Sequence, residues 1–133
     1  MSNLDNRNGL LYTKDHEWIR LVEKETVVVG ITFFAQDQLG DIVYLDLPVT
    51  GSQLRQFEKL GEVESVKSVS DLFSPISGEV LDINEEAINH PELVNSGPYT
   101  DGWLVKIKLT NKNELANLLS LEEYESLLSA EGS

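Results

Sequence analysis

Chemistry in this chain has one obvious seat, the lysine of Glu64-Ser65-Val66-Lys67-Ser68-Val69. Strand propensity on both sides of that segment places residues 65–68 in a tight reversal and Lys67 at a hairpin tip. An exposed turn lysine ordinarily does no more than hydrate, and composition and period alone do not overturn that reading. The rest of the chain offers little competition. There is no cysteine, which excludes a disulfide framework, a thiolate metal site and a cysteine nucleophile. No activated Ser-His-Asp set stands out, so redox or acyl chemistry has to be borrowed from an attached group. Adjacent Glu85 and Glu86 could suggest a small acid/base enzyme, but neighbouring side chains point apart and form a poor pair. His16 lies in KDHEW without a matching metal constellation, and His90 precedes Pro91 as a turn residue. Trp18 and Trp103 read as core or interface aromatics.

The elements that must position Lys67 are mostly strands. Between Trp18 and Leu109, short β-branched runs are punctuated by Gly, Pro, Asn and Asp, the pattern of an all-β core. Residues 25–31 and 41–47 are strand candidates, the second stopped by Pro48. Trp103, Val105, Ile107 and Leu109 alternate with Leu104, Lys106, Lys108 and Thr110, giving one face to bury. Helices belong at the edges: residues 32–39 closed by Gly40, and a turn from Pro91 to about Asn95. Towards the C-terminus the period changes. Leu115, Leu118 and Leu119, then Tyr124, Leu127 and Leu128, predict two short amphipathic helices, with a Ser120/Glu123 capping box before the second. A faint echo, Gly61-Glu62-Val63 and Gly78-Glu79-Val80 on either side of the lysine segment, suggests a pseudo-symmetric pair of half-sheets.

Length and charge bound the function. A chain of 133 residues, 41% hydrophobic, is one domain, 1–133, with a core over about 11–129 and flexible ends at 1–10 and 130–133. A chain of that size buries about two-thirds of its unfolded surface and needs no metal or disulfide staple. Ten basic against 23 acidic residues give 10 − 23 = −13, which argues against nucleic acid and against an anionic membrane. Nor is there a window of roughly 20 apolar residues to cross a bilayer. The acidity suits solubility and, more sharply, steering towards a basic patch on a protein partner. The N-terminal residues lack the pattern of a signal or transit peptide, so an intracellular protein is expected.

Ordered motifs across nearly the whole chain resemble the H proteins of the glycine cleavage system. They are YTKDHEW at Tyr12–Trp18, GIT at Gly30–Thr32, AQDQLGDIV at Ala35–Val43, and LP at Leu47–Pro48. ESVKSVSDLFSPISGEV follows at Glu64–Val80, then HPELVN at His90–Asn95, PY at Pro98–Tyr99 and DGWLVKIKL at Asp101–Leu109. The resemblance implies a mainly β barrel-sandwich hybrid: two small antiparallel sheets, short peripheral helices and a C-terminal helix. It implies a non-catalytic carrier with lipoate in amide linkage to Lys67, in a turn framed by Glu64, Ser65, Val66 and Ser68. The arm would carry the aminomethyl group of glycine between the decarboxylating glycine dehydrogenase (P protein), the aminomethyltransferase (T protein) and dihydrolipoyl dehydrogenase (L protein). Lipoate-attaching enzymes would be further partners, the carrier itself a monomer in the bacterial cytoplasm, or in the mitochondrial matrix after removal of a presequence. By matching position, Asp15, Glu17 and Asp71 would border a cleft in which the loaded arm parks, where carboxylates would hold the cationic amine of the cargo. The chain departs from the family at Phe57, where many members have glycine, and in the following Glu58-Lys59-Leu60-Gly61. A lipoyl-relay carrier, or a lipoyl or biotinyl domain of another complex, is the alternative. A biotin site would show Met on both sides of the lysine, whereas Val66 and Ser68 flank Lys67.

Overall fold

Val27, Val29 and Ile31 fall on one side of a strand and all are buried, as alternation requires. The computed structural model describes residues 9–132. Its strands are β1 Leu11–Tyr12, β2 Glu17–Leu21, β3 Thr26–Ile31, β4 Ile42–Asp46, β5 Gln53–Leu54, β6 Lys59–Ser65, β7 Val69–Phe73, β8 Gly78–Ile83 and β9 Val105–Leu109. Helices α1 Phe33–Leu39, α2 Glu85–Asn89, α3 Glu92–Ser96 and α4 Leu121–Gly132 lie outside them, with a 3-10 turn at Lys112–Asn117. Two antiparallel sheets result, one of six strands in the order β1-β2-β3-β9-β8-β5 and one of three in the order β4-β6-β7. The fold is therefore mainly β with peripheral helices and a C-terminal helix, as the barrel-sandwich expectation requires.

The sheets share one core. Ile19, Val27, Val29 and Ile31 of the large sheet cluster with Ile42, Leu45, Val63 and Leu72 of the small one. Each fully buried aliphatic side chain of this kind contributes roughly 1.5–3 kcal/mol. A second cluster, Tyr12, Trp18, Tyr99 and Tyr124, joins the edge of the large sheet to α4. Trp18 is fully buried and its indole N–H donates to the Pro98 carbonyl at 3.0 Å.

The Gly-Glu-Val echo has a physical counterpart. Gly61 lies on β6 of the small sheet and Gly78 on β8 of the large one. A Cβ on Gly61 would sit 2.1 Å from the Asp46 carbonyl oxygen of β4, and one on Gly78 would sit 2.2 Å from that of Lys108 on β9. In each sheet, glycine permits a neighbouring backbone to come closer than any side chain allows. Phe57 takes φ 69°, a left-handed conformation in which glycine carries no Cβ penalty, so the departure at this position leaves the turn in place at a local cost. Its N–H donates to the Ser74 carbonyl at 2.6 Å.

Capping explains the helix ends. Thr32 Oγ1 accepts from Ala35 N, and Gly40 closes α1 with its N–H on the Gln36 carbonyl, as the sequence predicts. Ser120 and Glu123 exchange both bonds of the expected capping box before α4. That helix continues through Gly132, and Leu10, just before β1, is buried. The other expected end residues, 1–8 and 133, lie outside the described residues.

The first of the two predicted C-terminal helices is instead a 3-10 turn. Ser77 N and Oγ donate to the two carboxylate oxygens of Glu114, and Leu119 exchanges backbone bonds with Tyr12 at 2.8 and 2.7 Å. These tertiary bonds take the chain into extended form after one turn, whatever its leucine period. Glu85 and Glu86 occupy the exposed first turn of α2, capped by Asn84, where negative charge complements the helix dipole.

Substituting Ala at either close approach should be costly. Gly61→Ala and Gly78→Ala should each lower unfolding free energy by about 1–3 kcal/mol, seen as reduced midpoints in urea.

Candidate functional site

The hairpin between β6 and β7 turns over Val66, Lys67 and Ser68, after the last strand pair Glu64–Val69. Its three amides lie beyond the ladder, and each finds another acceptor. Val66 N donates to the Asp41 carbonyl at 3.0 Å; Lys67 N and Ser68 N donate to Ser65 Oγ at 3.1 and 3.2 Å. Ser65 N closes the turn on the Ser68 carbonyl at 2.8 Å. A buried Ser65 thus organises the reversal through its own hydroxyl, and Lys67 projects from it exposed. Glu64 faces solvent in register with Tyr44 on one side and Val69 on the other.

The segment beneath the turn is held by α3, which is remote in sequence. Asn95 of α3 accepts from Ile42 N at 2.9 Å through Oδ1, and its Nδ2 donates to the Gly40 carbonyl and to Gln36 Oε1, both at 2.9 Å. This one amide fixes the residues that flank Asp41, whose carbonyl holds Val66. Gly40, at φ 84°, makes a bend that a side chain would strain, and a Cβ there would stand 3.1 Å from Lys67 Cε. The lysine stem therefore runs over bare backbone. Asn95 belongs to a quoted motif, yet its clamp across 53 residues has no sequence signal; Gly40 was legible only as a helix stop.

Beside the turn lies a cleft of about 360 Å3 between the start of β2, helix α1 and strand β7. Ile31, Phe34 and Leu39 give it apolar walls, and Asp15, Glu17 and Asp71 all line it. The structure thus brings the three expected carboxylates together, in different settings. Asp15 is exposed, with its N–H donating to Thr13 Oγ1 at 3.2 Å. Asp71 is at the rim, 3.2 Å from Lys59 Nζ, which also meets Glu62 Oε2 at 2.6 Å.

Glu17 is buried, at 2% exposure. Thr13 Oγ1 donates to its Oε1 at 2.5 Å, and Phe73 N of the small sheet donates to its Oε2 at 3.1 Å. Burial pushes its pKa up to about 8 against those two bonds, with the Asp15 charge adding in the same direction. The carboxyl is therefore mostly protonated at neutral pH. His16, at φ 72°, turns away from any metal role: its Nδ1 meets Tyr124 OH at 2.8 Å and its Nε2 meets Glu131 at 3.2 Å. No cluster of His, Cys, Asp or Glu able to hold a metal occurs among the described residues.

Two measurements follow from this geometry. Asn95→Ala should cost about 1–3 kcal/mol and speed hydrogen exchange at the Val66 amide, although the two residues do not touch. For Glu17, the folded protein holds a proton between pH 4.5 and about 8 that the unfolded chain releases. Its contribution to stability is complete below pH 4.5 and is lost as pH rises through about 8. Glu17→Gln should therefore gain stability relative to the parent on going from about pH 5 to about pH 9 in urea titrations.

Comparison with known proteins shows the family. The family model described as glycine cleavage H-protein matches residues 10–131. A glycine cleavage system H protein of Halothermothrix orenii is 53% identical over 120 residues, 90% of this chain and 93% of that one. That of Symbiobacterium thermophilum is 52% identical over 117 residues, covering 88% and 91%. A crystal structure of the H protein from Mycobacterium marinum superposes with a TM-score of 0.80 at 36% identity, covering 94% of this chain and 98% of its own. With an exposed lysine at the rigid tip of a β hairpin, a carboxylate cleft beside it and a family match over almost the entire length, the chain belongs to the glycine cleavage H-protein family.

Proposed function

We propose that this protein is the lipoate-bearing, non-catalytic carrier of a glycine cleavage system, with the cofactor in amide linkage to Lys67. The observation that carries the reading is the pinned turn: backbone held at three amides, with the Lys67 side chain exposed at the tip between Val66 and Ser68. Bare backbone at Gly40 and the adjacent cleft fit a long arm, because neither obstructs the lysine stem. Lipoate supplies a disulfide that can accept the aminomethyl unit of glycine and later be reoxidised, chemistry the cysteine-free chain lacks.

The protein's own residues position and shelter. Ser65 and the Asp41 carbonyl keep the attachment point projecting, and Glu64, Val66 and Ser68 frame it for the lipoate-attaching enzyme. Asp15, Glu17 and Asp71 receive the cationic amine of the cargo, and Glu17 gives up its proton as that charge arrives. Phe34, Ile31 and Leu39 exclude water from the same cleft. Tethering gives effective concentrations on the order of millimolar once a partner docks. The P, T and L proteins are the partners, each met transiently by a monomeric carrier whose charge of −13 favours fast, salt-sensitive encounters. The same attachment chemistry would serve a lipoyl relay to other enzymes. The bacterial cytoplasm is the proposed compartment; among the described residues no helix is long and apolar enough to cross a membrane.

Intact mass and peptide mapping of protein from its native cell should find one lipoyl amide, on Lys67. Lys67→Arg should fold normally yet abolish both the modification and glycine cleavage in a reconstituted system; retained glycine breakdown would refute the proposal. Glu17→Ala should shorten the lifetime of the isolated loaded carrier, and an unchanged lifetime would remove Glu17 from the sheltering role.

A further inference from the structure

A second concavity, of about 210 Å3, lies between α1 and α4 and shares only Phe34 with the carboxylate cleft. Tyr12, Phe33, Phe34, Tyr99 and Tyr124 supply its aromatic lining, and Asp37 and Glu125 its charge. No basic residue lines it among the described residues. The phenol ends of two rings are already engaged: Tyr99 OH accepts from Phe33 N at 2.9 Å, and Tyr124 OH meets Thr32 Oγ1 at 2.7 Å and His16 Nδ1 at 2.8 Å. What a ligand can reach is the exposed Phe33 ring, the half-buried Phe34 ring and the two exposed carboxylates, since Tyr12, Tyr99 and Tyr124 are buried. That combination repels anions and suits a flat cation, which stacks on aromatic carbon while donating to carboxylate oxygens. The same aromatic cluster already holds one such group inside the protein. The Arg20 guanidinium lies 4.6 Å from the Trp18 ring centroid and donates to the Tyr99 carbonyl, with Trp18 and Tyr99 in ring contact at 6.1 Å.

We propose that this aromatic, acid-rimmed pocket receives an arginine side chain from one of the enzymes with which the carrier exchanges its cargo, an assignment that rests on the carrier reading above. Phe33, 56% exposed, stands on the surface as a ring for a guanidinium to cover. Asp37 follows it by one helical turn on α1, so ring and charge share a face. A protein partner is favoured over a free metabolite by charge complementarity: a surface of net charge −13 draws a basic docking face, and the pocket gives that encounter a fixed point away from the lysine turn.

The test uses the full-length lipoylated protein and its Phe33→Ala and Asp37→Asn variants, both at exposed positions of α1. An acetylated, amidated Gly-Arg-Gly peptide should shift the amide resonances of Phe33, Phe34 and Leu128 saturably, and the citrulline analogue should not. Equal binding of the two peptides, or shifts centred elsewhere, would overturn the proposal. With at least one of the P, T and L proteins, each variant should raise the carrier concentration for half-maximal rate about fivefold or more and leave the maximal rate unchanged. A parent carrier inactive with all three enzymes would sink the carrier reading. An active parent whose variants match it in all three reactions would sink this inference alone. Loss of peptide binding without that kinetic change would mark a small-molecule site and overturn the assignment to a partner.

Discussion

Three amides at a hairpin tip have no strand to bond, and the way they are satisfied governs the rest of this molecule. Ser65 Oγ takes two of them and the Asp41 carbonyl takes the third. At about 1 kcal/mol net for each bond, the contribution to global stability is modest. The local consequence is larger, because opening the turn would break all three bonds, whereas the exposed Lys67 side chain can turn without breaking any of them. A flexible tether on a rigid mount suits a carrier that must offer the same atom to several partners: docking then orders only the arm, and little entropy is lost in the backbone.

Glu17 places the opposite demand on the fold. Its carboxyl, carried on β2, is bonded to Thr13 just after β1 and to Phe73 of β7, and burial disfavours its charge. Both carboxyl oxygens accept a hydrogen bond, which an amide with its single acceptor atom could not reproduce. Asp15 and Asp71, exposed at the same cleft, keep their solvation and extend the negative field outward. The graded burial of three carboxylates is what distinguishes this cleft from an ordinary acidic surface.

Local rules read much of the fold correctly. Val27, Val29 and Ile31 alternate as a half-buried strand must, Thr32 and Gly40 bound α1, and Ser120 with Glu123 begins α4. Each of these depends on neighbours within a few positions, where steric and capping preferences dominate. The leucine period at 115–119 misled, because Glu114 is bonded to Ser77 and Leu119 to Tyr12, partners remote in sequence. Phe57 shows the converse: a departure visible in sequence becomes intelligible only with its φ of 69°.

The sequence by itself determined the chemistry: no thiol, one lysine between strand-forming runs, and motifs whose types and order belong to one family. Tertiary structure decided the placement. Only the packing of α3 against the α1–β4 junction lets Asn95 clamp the backbone beneath the lysine, and only the meeting of β2 with β7 dries Glu17 and makes its proton labile near neutral pH. Propensity acts over a few residues, whereas desolvation and hydrogen bonding depend on which distant segments meet, a matter settled when the two sheets close over their shared core.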